Sequence, residues 1–125
     1  MLVFIDNGAE CKKAINIALI ETVGPVSELE RTEDKKRKKF YFFSLNGSNI
    51  DPIISRSYST REEAEMVQYS VVTLLNALEV FSERTKHVPE DRMTPVYFQV
   101  IDQNQKKLVP GKITLYDQPV YTIVI

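Results

Sequence analysis

Two residues in this chain of 125 could supply nucleophilic chemistry: one cysteine, Cys11, and one histidine, His87. A catalytic thiol or serine hydroxyl needs a base beside it, and His87 is the single imidazole. Cys11 falls on the apolar face of a helix expected over 8–22, where a small buried hydrophobe is the common outcome. His87 falls at the end of a second expected helix, where a cation offsets the helix dipole and needs no catalytic role. One histidine excludes every two-histidine metal site, and one cysteine excludes an internal disulfide or a cysteine-rich zinc site. The carboxylates Asp51, Glu90, Asp91, Asp102 and Asp117 all fall in expected turns, which favour such residues for backbone reasons. Gly8, Gly24, Gly47 and Gly111 each stand alone, so neither a phosphate loop nor a dinucleotide fingerprint is present. The expectation is a protein that is not an enzyme, with no cofactor, no metal and no small-molecule substrate.

The strongest chemical feature is the run Lys35, Lys36, Arg37, Lys38 and Lys39, followed at once by Phe40, Tyr41, Phe42 and Phe43. Adjacent cations can contact phosphates and neighbouring aromatics can stack on bases. Against that, Glu28, Glu30, Glu33 and Asp34 lie just upstream and can fold back to neutralise the run. The aromatics also suit a sheet that buries them against a helix. Over the whole chain 16 basic residues meet 17 acidic ones, too even a balance for whole-protein steering toward nucleic acid. Segment 28–39 carries ten charges in twelve positions and reads as a solvated loop or linker. Nucleic-acid binding through the basic run is the alternative function.

Positioning these residues requires the following elements. Residues 2–6 form a short strand. Helix 8–22 follows, with Asn7 three residues before Glu10 as a cap, and Gly24-Pro25 ends it. Residues 40–45 form an aromatic strand, and Asn46-Gly47-Ser48-Asn49 a turn. Ile50, Ile53 and Ile54 return, with Pro52 confining that strand to an edge. Ser59 and Thr60 each precede a glutamate by three residues and open a helix over 60–86. Its apolar stripe is Ala64, Val67, Val71, Leu74, Leu78 and Phe81. Strands at 96–101, 108–109, 112–116 and 120–125 complete a meander, with Pro110-Gly111 as one of its turns.

Beside the core stripe of helix 60–86 runs a second, partly apolar flank, carried by Met66, Tyr69, Thr73 and Val80. Such a flank on a long helix is a docking surface for a partner or for another copy. The expected function is therefore a non-enzymatic protein-interaction or structural module. It would be a unit of a larger repeat protein or a homo-oligomer, using this flank and open sheet edges.

Phe40-Tyr41-Phe42, Asn46-Gly47, Ile53-Ile54-Ser55 and Tyr58-Ser59-Thr60 before Ala64 succeed one another as aromatic strand, turn, second strand and capped helix. Over about 40–72 this pattern resembles the YegP-like small bacterial domain of unknown function. The resemblance implies a ββα unit and a bacterial source, and carries no activity with it. An echo of 41–49 in 97–105, each an aromatic strand with an Asn/Asp-rich turn, adds the expectation of a ββα repeat. The fold expected is α+β in a single domain over 1–125. A mostly antiparallel sheet of five to seven strands carries helices at 8–22 and 60–86 on one face. Residues 1–5 are apolar but stop at Asp6, too short for a secretory segment, and no stretch is long enough to span a bilayer. A cytoplasmic protein without membrane contact is expected.

Overall fold

The computed structural model describes residues 1–87, 89, 94–102, 104–113 and 121–125. Leu2–Asp6 (β1) alternates buried Val3 and Ile5 with exposed Leu2 and Phe4, the period-two pattern of a strand covered on one face. It pairs antiparallel with Lys13–Asn16 (β2), Val3 opposite Ile15, and in parallel with Thr122–Val124 (β10), Ile5 opposite Ile123. Thr22–Val23 (β3), Ser44–Gly47 (β6) and Ile50–Ile54 (β7) make a second sheet in the order β3-β6-β7. Ser27–Glu33 (β4) pairs with Lys36–Phe42 (β5), and Val96–Asp102 (β8) pairs with Lys107–Ile113 (β9), each as a two-stranded ribbon. Among the described residues one α-helix, Arg61–His87 (α1), packs across these pieces and most closely on β8. The α+β class and the mainly antiparallel pairing agree with the sequence reading.

Several finer expectations are corrected. In place of one sheet of five to seven strands, the described residues form four small sheets of two or three strands. The aromatic run is the main cause. Phe40, Tyr41 and Phe42 close β5, Phe43 breaks the pairing, and Ser44 opens β6 in a different sheet. Phe43 is buried at the break, where its N–H donates to Ser55 Oγ (3.0 Å) and its carbonyl accepts from Ser55 N–H (2.9 Å).

The helix expected over 8–22 does not form. That segment holds β2, a 3-10 turn at Ile17–Leu19 and β3. Asn7 receives the Ala9 N–H and Asn16 the Ala18 N–H, so both asparagines turn the chain locally where a helix would need an uninterrupted ladder. The isoleucines at 15, 17 and 20 satisfy a helical spacing, but β-branched residues lose least in extended backbone. Cys11 consequently stands exposed in the turn before β2, and not on a buried helix face.

Segment 28–39, expected as a loop or linker, is instead most of the β4–β5 ribbon, closed by Asp34 and Lys35, both with positive φ. Pro110-Gly111 is no turn either, because β9 runs straight through both. The meander strands expected at 112–116 and 120–125 fall partly on residues 114–120, outside the described residues. The carboxylates Glu90, Asp91 and Asp117 lie outside them as well.

Helix α1 begins where the sequence places it. Thr60 Oγ1 accepts the Glu63 N–H (3.2 Å), and Glu62 and Glu63 face the positive end of the dipole. Its buried residues are Ala64, Val67, Val71, Ala77, Leu78 and Phe81, the expected stripe with Ala77 added and Leu74 half-buried. Val67, Val71, Ala77, Leu78 and Phe81 meet Val3, Ile5, Ile15, Leu45, Ile53, Ile113 and Ile123 in one hydrophobic cluster. Burial of each large aliphatic side chain there contributes about 1.5–3 kcal/mol. No helix among the described residues is long and apolar enough to cross a membrane.

Candidate binding groove

Two contacts fix how β8 runs along α1. Arg84 Nη1 donates to Thr94 Oγ1 (3.0 Å), and Thr73 Oγ1 accepts the Gln99 N–H (3.0 Å). Strand and helix are therefore antiparallel, which brings the β8–β9 turn back toward the first turns of α1. Pro110 sits opposite Gln99 in the ribbon. Having no N–H, it takes a position where the facing residue turns its own backbone groups outward, and Thr73 meets them.

A cavity of about 410 Å³ lies between α1, β8 and β10. Its apolar lining comes from Met66, Val67, Val71 and Leu74 of the helix, Phe98 and Ile101 of β8, and Ile123 of β10. Val100 and Val124 also line it and are 41% and 50% exposed, unusual for valine in a strand. Thr122, Ile123 and Val124 all border the cavity although they alternate between the two faces of β10, so it is the edge of the strand that faces it. Phe4 N–H donates to Tyr121 O (2.9 Å) and Ile125 N–H to Asp6 O (3.0 Å). Odd-numbered residues of β10 thus bond to β1, and Thr122 and Val124 turn their N–H and C=O groups away from it. Among the described residues no strand pairs with that outer edge.

The charged lining residues and Tyr58 gather toward the start of α1, with Ser70, Gln99 and Thr122 as neutral polar groups elsewhere on the walls. Arg56 binds the Asp6 carboxylate at 2.7 Å and, through Nη1, the carbonyls of Asp6 (3.0 Å) and Ile125 (2.9 Å). It therefore spends its charge on joining the ends of β1 and β10. A hydrogen bond from the Gly8 N–H, seconded by Arg56, holds the Asp6 carboxyl below its usual range. Burial pushes the Tyr58 hydroxyl up to about 12, so it is a neutral donor or acceptor at ordinary pH. Glu63 and Lys106 complete this end, and neither makes an ion pair among the described residues.

The residues singled out from the sequence have separate fates. Of the helix flank, Met66 lines the cavity, while Tyr69 and Val80 face outward at 52% and 43% exposure. Thr73 is not free for a partner, because β8 folds back along the helix and occupies it. The basic run is split by the strand period: Lys36 and Lys38 share one face of β5, Arg37 and Lys39 the other. Lys38 meets Glu33 (3.5 Å) and Lys39 meets Glu28 (3.8 Å), the neutralising fold-back that the upstream acids allow. Arg31 lies over the Phe40 ring and Arg61 over Tyr41, so these aromatics are already occupied by cations of the chain itself.

His87 stands exposed beside Glu83 (3.7 Å), and no three metal-ligating side chains come together among the described residues. The sequence reading anticipated open sheet edges but missed Tyr58, Val100, Lys106 and Val124. The available signal was the stretch Thr122-Ile123-Val124-Ile125, apolar on both faces and so in need of cover on both. The chain matches no protein-family model, no curated protein and no solved structure.

Proposed function

We infer that this chain is a non-enzymatic protein-interaction module that binds an extended segment of a partner as an added strand on β10. One observation carries the reading: the outer edge of β10, which pairs with no strand among the described residues, borders an apolar cavity of about 410 Å³. Strand addition uses both parts, since main-chain hydrogen bonds on an edge supply affinity and side-chain pockets supply selectivity. An edge left open beside exposed valines is otherwise an aggregation hazard, which an occupant would remove. Titration of the labelled protein with a short peptide of alternating valine and threonine tests it by NMR. Amide shifts should concentrate at Thr122 and Val124. Val124→Pro removes one outward N–H and no bond to β1, and should abolish those shifts while leaving the fold intact. Shifts elsewhere, or none, would rule the reading out. A second copy as the occupant would show as a dimer in light scattering.

A second reading has one observation in its favour. Lys35, Lys36 and Arg37, at the tip of the exposed β4–β5 ribbon, have no ion pair among the described residues. A two-stranded ribbon can enter a nucleic-acid major groove. Salt-dependent retention on a duplex-DNA column decides, and unchanged retention of a Lys35/Lys36/Arg37→Ser variant would sink this alternative.

A further inference from the structure

We propose that the segment received by the β10 groove carries an apolar anchor side chain with a single carboxylate beside it, the anchor entering the cavity and the carboxylate meeting Lys106. The inference rests on the strand-addition reading and adds the chemistry of the occupant.

The charged groups of the groove lie toward the start of α1, and Ser70, Gln99 and Thr122 add only neutral polar groups along its walls. Because β8 is antiparallel to α1, its far turn returns to the level of Met66 and Glu63, and both lie with Lys106 along the cavity lining. Arg56 ties the Ile125 carbonyl into the same region. Val71, Leu74, Phe98 and Ile123 supply much of the apolar wall, around a volume suited to one leucine- or phenylalanine-sized side chain and its neighbours.

Arg56, Glu63 and Lys106 are the charged lining residues, Asp102 lies in the turn that carries Lys106, and all but Lys106 are committed or repulsive to an acid. Arg56 is bound by Asp6. Asp102 Oδ1 accepts the N–H groups of Asn104 (2.8 Å) and Gln105 (3.2 Å) and so serves its own turn. Glu63 is an anion without an ion pair among the described residues. Lys106 is the one cation there without such a partner, and its position is set by the turn: its N–H donates to the Asp102 carbonyl (2.7 Å) and its φ is 51°. One cation at the lining favours one acid, while Glu63 and Asp102 disfavour a run of acids. An apolar segment followed by one carboxylate is the complement of this arrangement. That carboxylate can come from an Asp or Glu side chain or from the end of a chain.

The test uses acetylated peptides of alternating threonine and valine ending in leucine, followed by aspartate amide, asparagine amide, lysine amide, two aspartates, or a free terminal carboxylate. Fluorescence anisotropy gives the affinities. At least one single-carboxylate peptide should bind about two- to fivefold more tightly than the asparagine peptide, the scale of a partly exposed ion pair. The two-aspartate peptide should gain nothing more. A gain confined to aspartate identifies a side chain as the source, and one confined to the free terminus identifies a chain end. Lys106→Glu should transfer the preference to the lysine peptide, and Lys106→Gln should erase it. Equal binding of the aspartate, terminal-carboxylate and asparagine peptides overturns the carboxylate inference and leaves strand addition standing. Failure of every peptide to bind, or binding indifferent to Val124→Pro, overturns both.

Discussion

The Thr73 hydroxyl meets both backbone groups of Gln99: it accepts the N–H at 3.0 Å and lies 3.3 Å from the carbonyl, which shares its proton with the carbonyl of Ser70. A strand edge that would otherwise be open is closed at this residue by a side chain of α1. Among the described residues the β8–β9 ribbon pairs with no other strand, and its closest packing on the rest of the protein is against the helix. We expect Thr73→Val, similar in shape and without the hydroxyl, to cost about 1–2 kcal/mol. Hydrogen exchange at the Gln99 amide should accelerate more than exchange in β1.

Substitutions on α1 should divide sharply by face. Leu78 is fully buried, and Leu78→Ala should lose about 2–5 kcal/mol in urea unfolding. Tyr69→Ala, on the outward flank, should stay within about 0.5 kcal/mol.

Gly47 is fixed by a close approach. A Cβ built there would stand 2.0 Å from the carbonyl oxygen of Leu19, a backbone atom that cannot swing away. Gly47→Ala should therefore destabilise by about 2–3 kcal/mol or more and shift the chain between β2 and β3. For Gly111→Ala the nearest atoms belong to the Phe98 ring, at 2.7 Å, and the readout should be displacement of that ring within the groove.

The pH response has a sign at each end. Asp6 has a folded-state pKa below its ordinary 3.8, so its contribution is complete above that value and is lost as pH falls through the folded pKa. Asp6→Asn should lower stability at neutral pH and flatten the decline below about pH 4. Tyr58 is raised from 10.0 to about 12, so stability falls across that window as the unfolded chain ionises first. Tyr58→Phe should remove that alkaline limb, measured as Tm against pH.

Legibility in the sequence followed the range of the determining interaction. Helix α1 was readable from end to end because its cap at Thr60 and its stripe from Ala64 to Phe81 are local signals. The region 8–22 misled because Ile15, Ile17 and Ile20 fit two periods, and its partner strand β1 and the Asn turns decide between them. The β4–β5 ribbon was hidden by its own charge, since a strand pair that buries nothing shows no hydrophobic alternation. Even so, the acids of one half were seen to be able to answer the bases of the other. The groove was the least legible part. Met66 belongs to it and was picked out, but for a different surface. Val100, Lys106 and Val124 become neighbours only through the crossing of β8, β10 and α1.

The parallel pairing of β1 with β10 joins residues separated by nearly the whole chain, and the Arg56 clamp on Asp6 and Ile125 locks that seam. A ribosome delivering the chain residue by residue would release β1 long before its partner exists. Val3 and Ile5 would lack their cover from Ile123 and Ile125 until those residues emerge. Closing so long a loop is slow, and the waiting species presents unsatisfied edges to its neighbours. Removing 121–125 should therefore leave a chain that depends on chaperones for solubility, however well α1 forms by itself.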